Sequence, residues 1–78
     1  MAKNKPNIKN KVKLLRFLAN EMTQQDLAER IGVTRQTVNA IEANKYSPSL
    51  EVAFKIAHVF QQPLEEVFQY QPEAEQPT

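Results

Sequence analysis

Three features of this 78-residue chain predict an all-α fold, a compact bundle of about five helices. There is one glycine, set among runs of good helix formers. Apolar residues recur at three- and four-residue spacing, as one helix face requires. Thr23, Thr34 and Ser49 each stand just before such a stretch, where a hydroxyl caps free backbone N–H groups. The length allows one domain. A core of this size covers only about 60% of the surface its unfolded chain exposes, so stability is modest unless a dimer adds to it.

In chain order, residues 1–9 read as a basic flexible arm, 10–70 as the folded domain and 71–78 as an acidic disordered tail. A first helix is expected from Ile8 or Asn10 to Ala19. Its inner stripe is Val12, Leu15 and Leu18 or Ala19, widened by Leu14 and Phe17. Asn20 and Glu21 form a turn, and Met22 can staple onto the next helix. The second helix runs from about Gln24 to Ile31, with Thr23 as cap and Asp26 three residues on. Gly32 follows, where a helix end needs left-handed backbone. Thr34 caps a third helix, about Arg35 to Ala43, and Val33 plugs the turn between the two.

Asn44 suits a left-handed C-cap, Pro48 stops continuation, and Ser49 caps a fourth helix from Leu50 to about Phe60. That helix carries a broad apolar face of Leu50, Ala53, Phe54, Ile56, Ala57 and Phe60. Gln61-Gln62-Pro63 breaks it, and Gln61 must take or avoid a left-handed backbone at some cost. Leu64, Val67 and Phe68, on a fifth helix, close the core, and Tyr70 extends an apolar surface outward.

Composition excludes several classes. Without cysteine there are no disulfides or thiolate metal sites, and a reducing cytoplasm is the expected setting. No apolar run approaches the ~20 residues of a membrane span, and no signal-peptide core is present. One histidine, no phosphate-binding glycine loop and no carboxylates clustered with a base leave no basis for catalysis. No catalytic residue, metal ligand or cofactor is expected. His58 lies between Ala57 and Val59 and reads as a surface or interface residue.

Net charge is only +1, but it is unevenly placed. Residues 1–20 hold five lysines and Arg16 with no acid, while residues 61–78 hold four glutamates with no base. A dipolar molecule with one face suited to phosphate follows.

The stretch Thr23 to Lys45 carries the most information. Two short capped helices joined at Gly32 each bury one stripe, through Leu27, Ala28, Ile31, Val38 and Ile41. The outward first turn of the later helix shows Arg35, Gln36 and Thr37, with Asn39 beyond and no acid among them. This is the pattern of a helix-turn-helix. The chain resembles the XRE family of Cro/CI-type, lambda-repressor-like regulators, most of all its short single-domain members. The resemblance rests on Thr23-Gln24, Leu27-Ala28, Ile31-Gly32-Val33-Thr34, Arg35-Gln36-Thr37-Val38, Ile41-Glu42 and Tyr46-Ser47-Pro48-Ser49-Leu50. It continues through Lys55-Ile56-Ala57 to Leu64-Glu65-Glu66-Val67-Phe68.

The geometry of a helix entering a major groove puts Arg35, Gln36, Thr37 and Asn39 at base edges. Arg35 suits guanine O6 and N7, and Gln36 suits adenine N6 and N7. The resemblance implies phosphate contacts from Gln24 and Asn44, and Thr34, Lys45 and Tyr46 are placed and suited to join them. The alternative readings are that Gln24 only occupies an exposed first turn and that Tyr46 packs its ring over the loop. Family members typically pair an arginine of the first helix with the glutamate matching Glu42. Here Arg16 lies seven residues before Thr23 rather than six, which implies a connection one residue longer.

The function expected is a sequence-specific regulator of transcription, a repressor, binding double-stranded DNA as a homodimer at the nucleoid. The resemblance places its dimer surface at Val67, Phe68 and Tyr70. The alternative is an antitoxin-like module that binds a protein partner with the same fold.

Overall fold

The computed structural model describes residues 7–72. The elements are β1 (Ile8–Asn10), α1 (Val12–Leu18), α2 (Gln24–Ile31), α3 (Arg35–Glu42), α4 (Leu50–Phe60), α5 (Leu64–Val67) and β2 (Phe68–Tyr70). Five helices surround a core of Val12, Leu27, Ala28, Ile31, Val38, Ile41, Ile56, Ala57 and Val67. The fold is the expected helical one. α2 packs on α3, and α4 packs on α1, α2 and α5. Side chains Leu15, Met22, Val33, Val52, Val59, Phe60, Leu64 and Phe68 close over the core from outside.

Three hydroxyl caps form as their positions predict. Thr23 accepts from the Asp26 N–H at 3.0 Å, Thr34 from Thr37 at 3.2 Å and Ser49 from Val52 at 3.2 Å. Gly32 ends α2 with φ 78°. A Cβ there would meet nothing within 4 Å, so glycine serves the backbone angle and not the space. Asn44 takes φ 59° just after α3. The Asn44 N–H donates to Ile41 O and the Lys45 N–H to Ala40 O, which is the paired closure of a Schellman end. Gln61 takes φ 55°, and Gln62 N–H donates to Ala57 O in the same way.

The ends of the domain differ from expectation. α1 starts at Val12, and Ile8–Asn10 is a strand rather than arm or helix. α5 stops at Val67, and Phe68–Tyr70 is its antiparallel partner, with Ile8 opposite Tyr70 and Asn10 opposite Phe68. Lys11 N–H to Val67 O at 2.9 Å and Gln71 N–H to Asn7 O at 2.7 Å extend the pairing at both ends. The physical reason is long-range. A four-residue helix is too short to hold itself, and two adjoining chain segments satisfy each other's backbone groups. Three-residue strands leave no period to read. The remainder of the expected arm (1–6) and tail (73–78) lies outside the described residues.

Two apolar faces also differ. Leu14, Phe17 and Leu18, expected to line α1's inner stripe, are each more than half exposed. α1 has only seven residues, so Val12 is buried and Leu15 partly covered. On α4, Leu50 and Phe54 face outward, and Val52 and Val59 close over the core.

Between α1 and α2, Asn20 and Glu21 are both left-handed, at φ 63° and 57°. This is the turn expected to be one residue longer. It returns Met22, whose N–H donates to Arg16 O at 2.9 Å. Asparagine tolerates that backbone better than glutamate. Glu21→Gly is expected to raise the unfolding free energy by about 1 kcal/mol. Gly32→Ala is expected to lower it by about as much. Urea midpoints at unchanged slope check both changes.

Candidate nucleic-acid interface

α3 is placed by its stripe. Val38 and Ile41 are buried, which turns Arg35, Gln36 and Asn39 outward and leaves Thr37 half-covered. The first turn of α3 holds no acid, so its unpaired N–H groups face solvent beside Arg35. The Thr34 and Thr37 hydroxyls lie 3.0 Å apart at that end.

Behind this face lies an ion pair. Arg16 Nε donates to Glu42 Oε2 at 2.6 Å and Arg16 Nη2 to Glu42 Oε1 at 3.0 Å. The side chains are only 14% and 6% exposed. Arg16 Nη1 donates to Met22 O at 2.7 Å, fixing the α1–α2 turn. The expected pair of Arg16 with Glu42 forms. The hydrogen bond to Glu42 raises the Arg16 pKa above its ordinary value, partial burial opposes this, and the Glu42 charge adds to the rise. A raised arginine pKa stabilises the fold at every pH below arginine's ordinary range, and the effect is lost only at more alkaline pH.

Gln24, on the first turn of α2, joins the pair to the outer face. Its Nε2 donates to Glu42 Oε1 at 3.0 Å and to Asn39 Oδ1 at 3.2 Å. Its Oε1 accepts from Arg35 Nη1 at 3.4 Å. Glu42 only accepts and Arg35 only donates, so Gln24's amide has one possible orientation. Asn39 then turns its oxygen inward and its NH2 outward. Of the residues expected at this surface, the structure brings Gln24, Arg35 and Asn39 into one hydrogen-bonded group. Gln36 stands exposed on the same first turn as Arg35. Asn44, Lys45 and Tyr46 follow α3, the last two exposed.

Sequence reasoning missed Asn10. Its Oδ1 accepts from the Val12 N–H at 3.0 Å, and its Nδ2 donates to Ile41 O at 2.8 Å and Asn44 Oδ1 at 3.0 Å. An asparagine just before a helical run is a recognisable start signal. Its contacts 31 and 34 residues away are not.

The expected dimer residues separate. Val67 is fully buried and has no surface to offer a partner, because it closes the core between α5 and β2. Phe68 packs on the core, and Tyr70 is 62% exposed. Among the described residues no group of three or more His, Cys, Asp or Glu side chains could hold a metal ion. No helix among them is long and apolar enough to cross a membrane.

Residues 12–67 match the family described as Helix-turn-helix. The chain belongs to that family. Its relatives include an uncharacterized HTH-type transcriptional regulator of Methanocaldococcus jannaschii, 53% identical over 64 residues, covering 82% of this chain and 96% of the relative. Another is the uncharacterized HTH-type transcriptional regulator YgzD of Bacillus subtilis, 51% identical over 61 residues, covering 78% and 91%. The fold is similar to the crystal structure of a protein from Bacteroides fragilis described as a candidate DNA-binding protein. The TM-score there is 0.69 at 24% identity, over 80% of this chain and 98% of that one. The XRE-type resemblance read from the motif therefore holds.

The brace has a measurable worth. Arg16→Ala or Glu42→Ala alone strands a largely buried charge and is expected to cost about 3 kcal/mol. Arg16→Met with Glu42→Leu is expected to recover most of that loss in urea unfolding. Additive losses in the double variant would show that the two residues act independently.

Proposed function

We propose that this chain is a sequence-specific, double-stranded DNA-binding regulator of transcription that acts as a repressor and a homodimer at the nucleoid. One observation carries the reading. α3 presents an acid-free first turn, backed by a bidentate ion pair and a hydrogen-bonded Gln24 that hold its outward side chains in place. Such a helix fits the major groove, about 12 Å wide.

Arg35 and Gln36 read base edges from the first turn, with Thr37 and Asn39 beside them. Asn39's outward NH2 suits an acceptor such as a purine N7. Thr34, Asn44, Lys45 and Tyr46 flank the helix and hold phosphates, fixing its register, and Gln24, whose side-chain amide is fully engaged, joins them through its backbone N–H in the first turn of α2. One short recognition helix makes few base contacts, so two copies on half-sites about 34 Å apart supply the affinity. The dimer surface proposed is the end of the ribbon where exposed Tyr70 pairs with Ile8. No cofactor takes part in this reading.

A second reading rests on the exposed face of Leu14, Phe17 and Leu18, spaced three and four residues apart on α1. An apolar face of that kind suits a protein partner, as an antitoxin-like module requires.

Selection from a random duplex pool, followed by titration at several salt concentrations, tests the first reading. A two-fold symmetric site with a steep salt dependence supports it. The absence of any enriched sequence overturns it and favours the partner-binding module. On the selected site, Arg35→Ala is expected to cost about 1–3 kcal/mol and to relax preference at one base pair per half-site. Lys45→Ala is expected to weaken all sequences alike and to reduce the salt slope by about one per half-site.

A further inference from the structure

We propose that Asn10 is a positioning residue for DNA binding: it sorts the Asn44 amide so that an N–H donor faces the phosphate backbone. The inference rests on the DNA-binding reading and names a residue outside the recognition helix and its flanks.

The argument runs through four atoms of fixed character. The Val12 backbone N–H can only donate, and it points at one end of the Asn10 amide at 3.0 Å. That end is therefore the oxygen. The Ile41 carbonyl can only accept, and it takes the other end at 2.8 Å. Two main-chain groups from α1 and α3 thus lock the Asn10 amide, with no second orientation available. Its remaining N–H points at Asn44, 3.0 Å away, and the atom that meets it must be an acceptor. Asn44 consequently turns Oδ1 inward.

Asn44 Nδ2 is left as the opposite end of the amide, and it donates to no described residue. It sits on a half-buried side chain at the left-handed position directly after α3. A free amide there could present either end. An oxygen turned outward repels phosphate, and an N–H attracts it. Asn10 removes that choice before DNA arrives. The ordering cost of the side chain is met in folding and not in binding.

A double-mutant cycle tests the route. Asn10→Ser retains an oxygen near the Val12 N–H and removes both amide N–H groups. Asn44→Gly keeps the left-handed backbone and removes the amide. Binding of the full chain to its selected duplex is measured for wild type, each variant and both together, with unfolding midpoints taken alongside. Asn44→Gly is expected to weaken binding several-fold across all sequences and to leave the log–log salt slope near its wild-type value, because a neutral amide releases no counterion. Asn10→Ser is expected to weaken binding several-fold in the wild-type background and to have no effect in the Asn44→Gly background. A purely structural Asn10 would lower affinity equally in both backgrounds, and that result overturns the inference. Asn44→Asp supplies an independent reading. It keeps an acceptor for Asn10 and a residue that tolerates the backbone, but turns a carboxylate oxygen outward. It is expected to fold as stably as wild type and to bind at least ten-fold more weakly. Binding equal to wild type overturns the donor role. A wild-type chain that binds no duplex at low salt overturns the DNA reading itself, whereas a binding wild type with an additive cycle overturns only the role of Asn10.

Discussion

Most of the interface depends on one ion pair. Arg16 reaches from α1 and Glu42 from the last turn of α3, and they meet through two hydrogen bonds. Neither group could sit so far from solvent alone. Each also has a further partner. Arg16's third nitrogen takes the Met22 carbonyl, which fixes the chain's entry into α2. Glu42 accepts from Gln24, which fixes the first turn of α2 against α3. Three helices and a turn therefore share two side chains. Packing alone sets the distance between α2 and α3, but apolar contacts slide. A bidentate pair with flanking hydrogen bonds has one geometry, and the rotation of α3 about its own axis follows from it.

The central three helices, α2, α3 and α4, were legible because their signals are local. Thr23, Thr34 and Ser49 announce their helices within three residues, and Gly32 marks the end of one within a single position. The outward direction of Arg35 and Gln36 follows from Val38 and Ile41 turning in. The ends of the domain were not legible for the opposite reason. Residues 8–10 and 68–70 are strands only because each finds the other across the whole chain. Read locally, both look like helix fringe. The core place of Val67 was legible beside Leu64 and Phe68, but the bond from the Lys11 N–H to its carbonyl was not. Leu14, Phe17 and Leu18 were misplaced because amphipathic spacing reports a face but not whether anything lies against it.

The candidate site shows the same division at finer scale. Residue types that can read a base were evident at positions 35, 36, 37 and 39. Which end of each amide faces outward was not, because that is decided by partners far away in sequence. Glu42 and Arg35 orient Gln24, and Gln24 orients Asn39. Val12 and Ile41 orient Asn10, and Asn10 orients Asn44. Each chain starts at a group of fixed hydrogen-bonding sense and ends at an amide that has none of its own. The outcome in both cases is an amide whose oxygen is committed to a partner within the fold, leaving the NH2 as its other end.

The left-handed positions separate strain that does something from strain that does not. Asn20, Glu21, Asn44 and Gln61 all adopt a backbone that glycine would take more easily. Gln61 directs its Nε2 back to the His58 carbonyl and so helps close the helix that it ends. Asn44 holds its oxygen toward Asn10 and keeps its NH2 available. A glycine at position 44 would relieve the backbone but would leave the end of α3 without a side-chain donor. Glu21 makes no side-chain hydrogen bond among the described residues, so no side-chain contact accompanies its left-handed backbone. The strain at position 44 is therefore tied to the surface the helix presents, and the strain at position 21 is not.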